Sequence, residues 1–108
     1  MPLYHVTSVV NRESIARHGL DWRHMGAARG IAGSPVPEVE GCFLAQDEFE
    51  ADWFVRMNNT GGPVDVWVVE GVDEAELVGS PEGHCYLPRS VPAGRLRLHR
   101  RDIPAEER

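Results

Sequence analysis

Leu3-Tyr4-His5-Val6-Thr7-Ser8 runs directly into Val9-Val10-Asn11-Arg12-Glu13-Ser14-Ile15-Ala16-Arg17-His18-Gly19-Leu20. The first half carries strand-forming residues and ends in a Thr-Ser pair able to cap a following helix. In the second half Val10, Ile15 and Ala16 supply an approximate apolar helix face, and Gly19-Leu20 supplies a left-handed stop. A strand that ends in polar side chains beside a helix start suits a phosphate or a nucleotide. Histidine at a strand end is more often structural than ligand-binding, so the meaning of His5 depends on what the rest of the chain adds.

Composition narrows the classes. With 108 residues, 42% of them hydrophobic, the chain reads as one domain over 1–108 with a single core. It contains no apolar run of membrane-spanning length and no charged-then-apolar leader, so a cytoplasmic protein without membrane contact is expected. A net charge of -6 disfavours nucleic acid as a bulk partner, because such affinity comes mainly from neutralised phosphates. All 11 basic residues are arginine, which excludes a lysine nucleophile, a Schiff base and a phosphate-loop lysine. Cys42 and Cys85 read as buried thiols. Neither they nor the five histidines show metal-ligand spacing, so no metal is expected.

Residues 21–40, rich in Gly and Pro, read as a long surface loop in which Trp22, Arg23 and Arg29 are able to close over a ligand. Gly41-Cys42-Phe43-Leu44-Ala45 reads as a buried strand, and Asp47 with Glu50 as a capping box opening a helix to Met57. On that helix Phe49, Trp53 and Met57, joined by Phe54, form the expected apolar face. After a turn at 58–63 comes the strongest strand, Val64–Glu70, with Val64, Val66, Val68 and Glu70 predicted inward and Trp67 covering the far side. Asp73–Val78 is too short to assign. A strand through Gly83–Leu87, a Pro-bounded turn and a strand over Arg95–His99 come next, and 102–108 reads as a frayed tail. His84 and Cys85 are neighbours on a strand, hence on opposite faces, which works against a His-activated thiol.

Three of these pieces together resemble the ADP-ribosyltransferase superfamily, which includes poly(ADP-ribose) polymerases, DNA-targeting ADP-ribosyltransferase toxins and RNA 2'-phosphotransferases. They are the His5-bearing first strand with a helix closing in Gly19-Leu20, the Gly41-x-Phe43-x-Ala45 strand leading to Ala51-Asp52-Trp53, and Tyr86 before a proline turn and final strand. The resemblance implies an α+β fold with a mainly antiparallel, split β-sheet and two principal helices, and NAD+ or a related nucleotide as ligand. By that likeness His5 is the catalytic-site residue donating to a ribose hydroxyl, and the Val6 main chain meets the carboxamide. Thr7 and Asn11 add polar contacts, Phe43 and Tyr86 occupy the strand positions, and Trp53 stacks on the ring. The acceptor of ADP-ribose is an unknown macromolecule or small molecule. Where the family carries a catalytic Glu, this chain has Cys85. Three readings therefore stay open: a transferase, a catalytically inactive nucleotide- or partner-binding module, and a 2'-phosphotransferase-like enzyme using Arg17, Arg23, Arg29 and Arg56.

Overall fold

A computed structural model of the chain describes residues 2–21, 42–58, 62–79 and 83–104. The elements are β1 (Leu3–Ser8), α1 (Arg12–His18), β2 (Cys42–Phe43), α2 (Glu48–Met57), β3 (Val64–Val69), β4 (Val78–Gly79), β5 (Cys85–Leu87) and β6 (Leu96–Ile103). The domain is α+β, with two helices and two three-stranded antiparallel sheets ordered β1-β3-β6 and β2-β5-β4. Most of the expected loop over 21–40, with Trp22, Arg23 and Arg29, lies outside the described residues.

The strand-to-helix passage forms as its residues dictate, with one change of phase. Ser8 caps it by accepting from the Val10 N–H at 3.3 Å. Residues Val9–Asn11 then turn as a 3-10 helix before α1 begins. The tighter turn rotates the face inward onto Asn11 and Ile15, while Val10 is 68% exposed and Ala16 is also exposed. At the other end Gly19 takes φ 77°, and Leu20 pairs with Val91 through bonds of 2.8 and 3.0 Å.

All six residues of β3 are buried because this strand lies at the centre of its sheet with apolar layers on both faces. On one face Leu3, Trp67 and Val69 pack with Ile15, Leu20, Leu44, Leu87 and Val91. The opposite face carries Tyr4, Val64, Val66 and Val68 against Ala45, Ala51 and Val55. Trp67 therefore belongs to a second core layer rather than to an outer cover.

Helix α2 starts as expected, with Asp47 accepting from the Glu50 N–H at 2.7 Å. Its inward face differs from the expected one. Ala51 and Val55 are buried, whereas Phe49 is 80% and Met57 40% exposed. The positions turned to the large sheet are 48, 51, 52 and 55, at helical spacing. Glu48 meets His99 at 2.6 Å and Asp52 meets Arg100 at 2.6 Å, so the exposed flank of the helix lies against β6.

The last strand also extends beyond the expected His99 end, through Asp102 and Ile103, which removes those two residues from the anticipated tail. Ile103 registers against Val64, and an irregularity in the ladder accompanies Asp102 at φ 55°. The Asp102 N–H donates to Asp65 Oδ1 at 3.0 Å, and Arg12 joins both acids.

Candidate functional site

The two sheets are stitched together at one point and then part. Tyr4 and Ala45 exchange both backbone bonds, at 2.9 and 2.7 Å, yet β2 two residues earlier pairs with β5 instead of β1. Backbone groups on an antiparallel strand alternate in direction, so the N–H and C=O of Val6 face the same edge as those of Tyr4, at the place where β2 has turned away. His5 occupies the fork: its Nδ1 donates to the Phe43 carbonyl at 3.0 Å, satisfying a backbone group that the parted ladder leaves over.

That bond determines what His5 has to offer. With the Nδ1 proton committed to a carbonyl, Nε2 is an acceptor rather than the donor anticipated for a ribose hydroxyl. Both Nε2 and the Trp67 Nε1 N–H are buried without a partner among the described residues, and His5 and Trp67 stand directly opposite one another across β1 and β3. An acceptor facing the same layer as a donor suits a group that does both, a hydroxyl or an amide, better than a phosphate oxygen.

Burial pushes the His5 pKa down from 6.5 to about 4, partly offset by the Phe43 carbonyl. Between those two values the unfolded chain binds the proton and the folded one does not. The neutral ring's stabilisation is complete above pH 6.5 and is lost as pH falls toward 4. We expect up to about 3 kcal/mol to disappear across that window. Thermal unfolding of wild type and His5→Gln through the same range checks it: the variant has a flatter pH dependence, and equal slopes would refute the assignment.

The other expected site residues fall into two groups. Thr7 and Asn11 are buried and joined by an Asn11 Nδ2 to Thr7 Oγ1 bond of 2.9 Å beneath β1, where they brace the strand-to-helix turn. The Val6 side chain packs, as Phe54 and Ile103 do, against the buried cluster on the opposite face of the sheet. Phe43 and Tyr86, partners across β2 and β5, are half-buried on the face away from Cys42 and Leu87, with rings 6.0 Å apart. Trp53 is half-buried on α2 and touches neither of them; its ring lies 5.3 Å from Phe54 and 4.4 Å from His84. His84 lies two residues before Tyr86, just ahead of β5. The outcome is a half-exposed aromatic band in two parts, Phe43 with Tyr86 and His84 with Trp53 and Phe54, linked through the chain from His84 to Tyr86.

His84 is the member of this band that sequence reasoning missed. Its neighbour Cys85 drew attention as a replacement for Glu, but the ring's partners, Trp53 and Phe54, come from a helix about thirty residues earlier. Cys85 Sγ accepts a hydrogen bond from Gln46 Nε2 at 3.4 Å. Cys42 is fully internal, and burial, reinforced by Asp21, pushes its thiol up to about 12. Arg17 forms an exposed pair with Glu13, Arg56 lies exposed on the last turn of α2, and Arg23 and Arg29 are outside the described residues. No helix among the described residues is long and apolar enough to cross a membrane, and none of their His, Cys, Asp and Glu side chains gather in threes around a metal position.

Comparison with protein-family models, with curated proteins and with solved structures finds no match to this chain.

Proposed function

We propose that this domain is ADP-ribosyltransferase-like and binds NAD+ or a related nucleotide at the fork between β1 and β2. The observation that carries the reading is the juxtaposition at the fork. Among the described residues no strand pairs with the Val6 main chain on the edge that β2 leaves, His5 bonds the Phe43 carbonyl, and the half-buried Phe43 and Tyr86 rings lie on the adjoining strands. An edge N–H and C=O pair is the natural mate of a carboxamide, and half-exposed rings favour a flat heterocycle. In this reading Phe43, Tyr86 and Trp53 provide ring surface, His5 accepts from a hydroxyl, and Thr7 and Asn11 hold β1 in shape. A cytoplasmic setting, where the nucleotide is supplied, fits it.

Calorimetric titration with NAD+ and with ADP-ribose tests the proposal. Saturable binding is expected, weakened about tenfold in Trp53→Ala, the loss of one stacking contact. No heat from either compound at millimolar concentration would overturn the reading. Mass spectrometry for released nicotinamide then separates a transferase from a nucleotide-binding module.

A non-catalytic module is the second reading, and Cys85 favours it: a thiol accepting a bond from Gln46 stands where the resembling enzymes carry a carboxylate. The 2'-phosphotransferase alternative has less support. It needs converging arginines, and Arg17 and Arg56 lie exposed on different helices.

A further inference from the structure

Helix α2 sends a carboxylate to the small sheet as well as to the large one. Glu50 Oε1 accepts from the Gln46 N–H at 2.8 Å, tying it to the helix start, and Oε2 lies 3.4 Å from Nδ1 of His84. The His84 ring is also flanked by Trp53 at 4.4 Å with an interplanar angle of 31°, and by Phe54 at 5.1 Å. Both side chains are largely withdrawn from water, His84 20% and Glu50 25% exposed. A carboxylate facing Nδ1 holds the proton of a neutral imidazole on that nitrogen, and Nε2 is left as the acceptor. The nucleotide reading above assigns no contact to Glu50 or to either ring nitrogen of His84.

We infer that Glu50 and His84 form a proton-accepting pair for the aromatic band, His84 as the catalytic base and Glu50 as the positioning residue. The inference rests on the nucleotide reading. In the step it serves, an oxygen of water or of an acceptor alcohol bonds to the anomeric carbon of the nicotinamide ribose as the carbon–nitrogen bond breaks. The bonding electron pair leaves with neutral nicotinamide, the hydroxyl proton moves to His84 Nε2, and Glu50 balances the new positive charge. This arrangement gives the site a proton acceptor without a carboxylate at position 85.

Two readouts test it together: the His84 tautomer by long-range proton–nitrogen NMR, and nicotinamide release from NAD+ alongside calorimetric affinity. Wild type is expected to carry the Nδ1–H tautomer. Glu50→Gln, whose amide donates to Nδ1, is expected to invert it to Nε2–H. Nicotinamide release is expected to fall about 100-fold or more in His84→Gln and Glu50→Gln, with NAD+ affinity within about threefold of wild type in Glu50→Gln. An Nε2–H tautomer in wild type overturns the pairing whatever the ligand does. Bound NAD+ without turnover, or turnover unchanged in folded His84→Gln, overturns the base while sparing the nucleotide reading. Absence of NAD+ and ADP-ribose binding overturns both.

Discussion

Arg12→Leu is expected to lower the thermal midpoint by more than about 10 °C, a large effect for a single substitution in a domain of this size. Asp65 is completely buried in β3, and its carboxylate is held by Arg12 Nε at 2.8 Å, by Arg12 Nη2 at 2.7 Å and by the Asp102 N–H at 3.0 Å. Arg12 Nη2 also bonds Asp102 Oδ1 at 2.8 Å. Both acids keep the guanidinium charged by raising its pKa, and Arg12, followed by Arg101, holds the Asp102 carboxyl below its usual range. The network joins the start of α1, the central strand and the end of β6.

Removing the cation leaves a buried carboxylate with a single N–H, which costs about 3 to 5 kcal/mol. The loss falls at the lower end of that range because the Arg12 side chain is itself 29% exposed. Arg12→Leu combined with Asp65→Asn is expected to recover part of the loss, since the neutral amide still accepts from Asp102 and no charge is stranded. A midpoint shift under about 4 °C in Arg12→Leu, or no recovery in the double variant, would show that the pair is not what seats α1.

Gly19→Ala is expected to destabilise the domain by about 3 kcal/mol or more. Gly19 has φ 77° and ψ -166°, a region that is essentially glycine's alone. A Cβ there would also stand 2.1 Å from the Val91 carbonyl oxygen and 2.9 Å from the Ala93 nitrogen, both backbone atoms. Relief means separating α1 from the connection between β5 and β6 and breaking the Leu20–Val91 bridge that seats two core residues. Gly83→Ala provides the comparison, because Gly83 has φ 92° but no described residue within 4 Å of its added Cβ. It is expected to cost only the conformational penalty, about 1 to 2 kcal/mol. Chemical denaturation of both variants measures the difference, and equal losses would mean the close approach to Val91 contributes nothing.

Much of this architecture was legible locally. Ser8 and Asp47 cap the helical turns that begin beside them, Gly19 stops α1, and the Val-rich run of β3 is a buried strand, because each depends on residues a few positions away. The rotation of α2 was not legible. Phe49, Trp53 and Met57 form a better apolar stripe than Ala51 and Val55, yet Glu48 and Asp52 turn toward β6, where His99 and Arg100 wait some fifty residues along the chain. β6 itself stays largely exposed, and its Arg97, His99, Arg100 and Arg101 pair with Glu70, Glu48, Asp52 and Asp102.

The candidate site divides along the same line. Sequence alone determined that His5 lies on a strand, Phe43 and Tyr86 on two others and Trp53 on a helix of an antiparallel α+β domain, because alternation, capping and turn chemistry act over short distances; the structure puts His5 inside β1 rather than at its end. Only the tertiary structure decided that His5 presents an acceptor, that Asn11 donates to Thr7, and that His84 stands between Glu50 and Trp53. The two imidazoles depend on groups 34 to 38 residues distant, the Phe43 carbonyl for His5 and the Glu50 carboxylate for His84. Which proton an imidazole carries, and what it is left to do with the other nitrogen, is settled by the neighbour that folding brings to it.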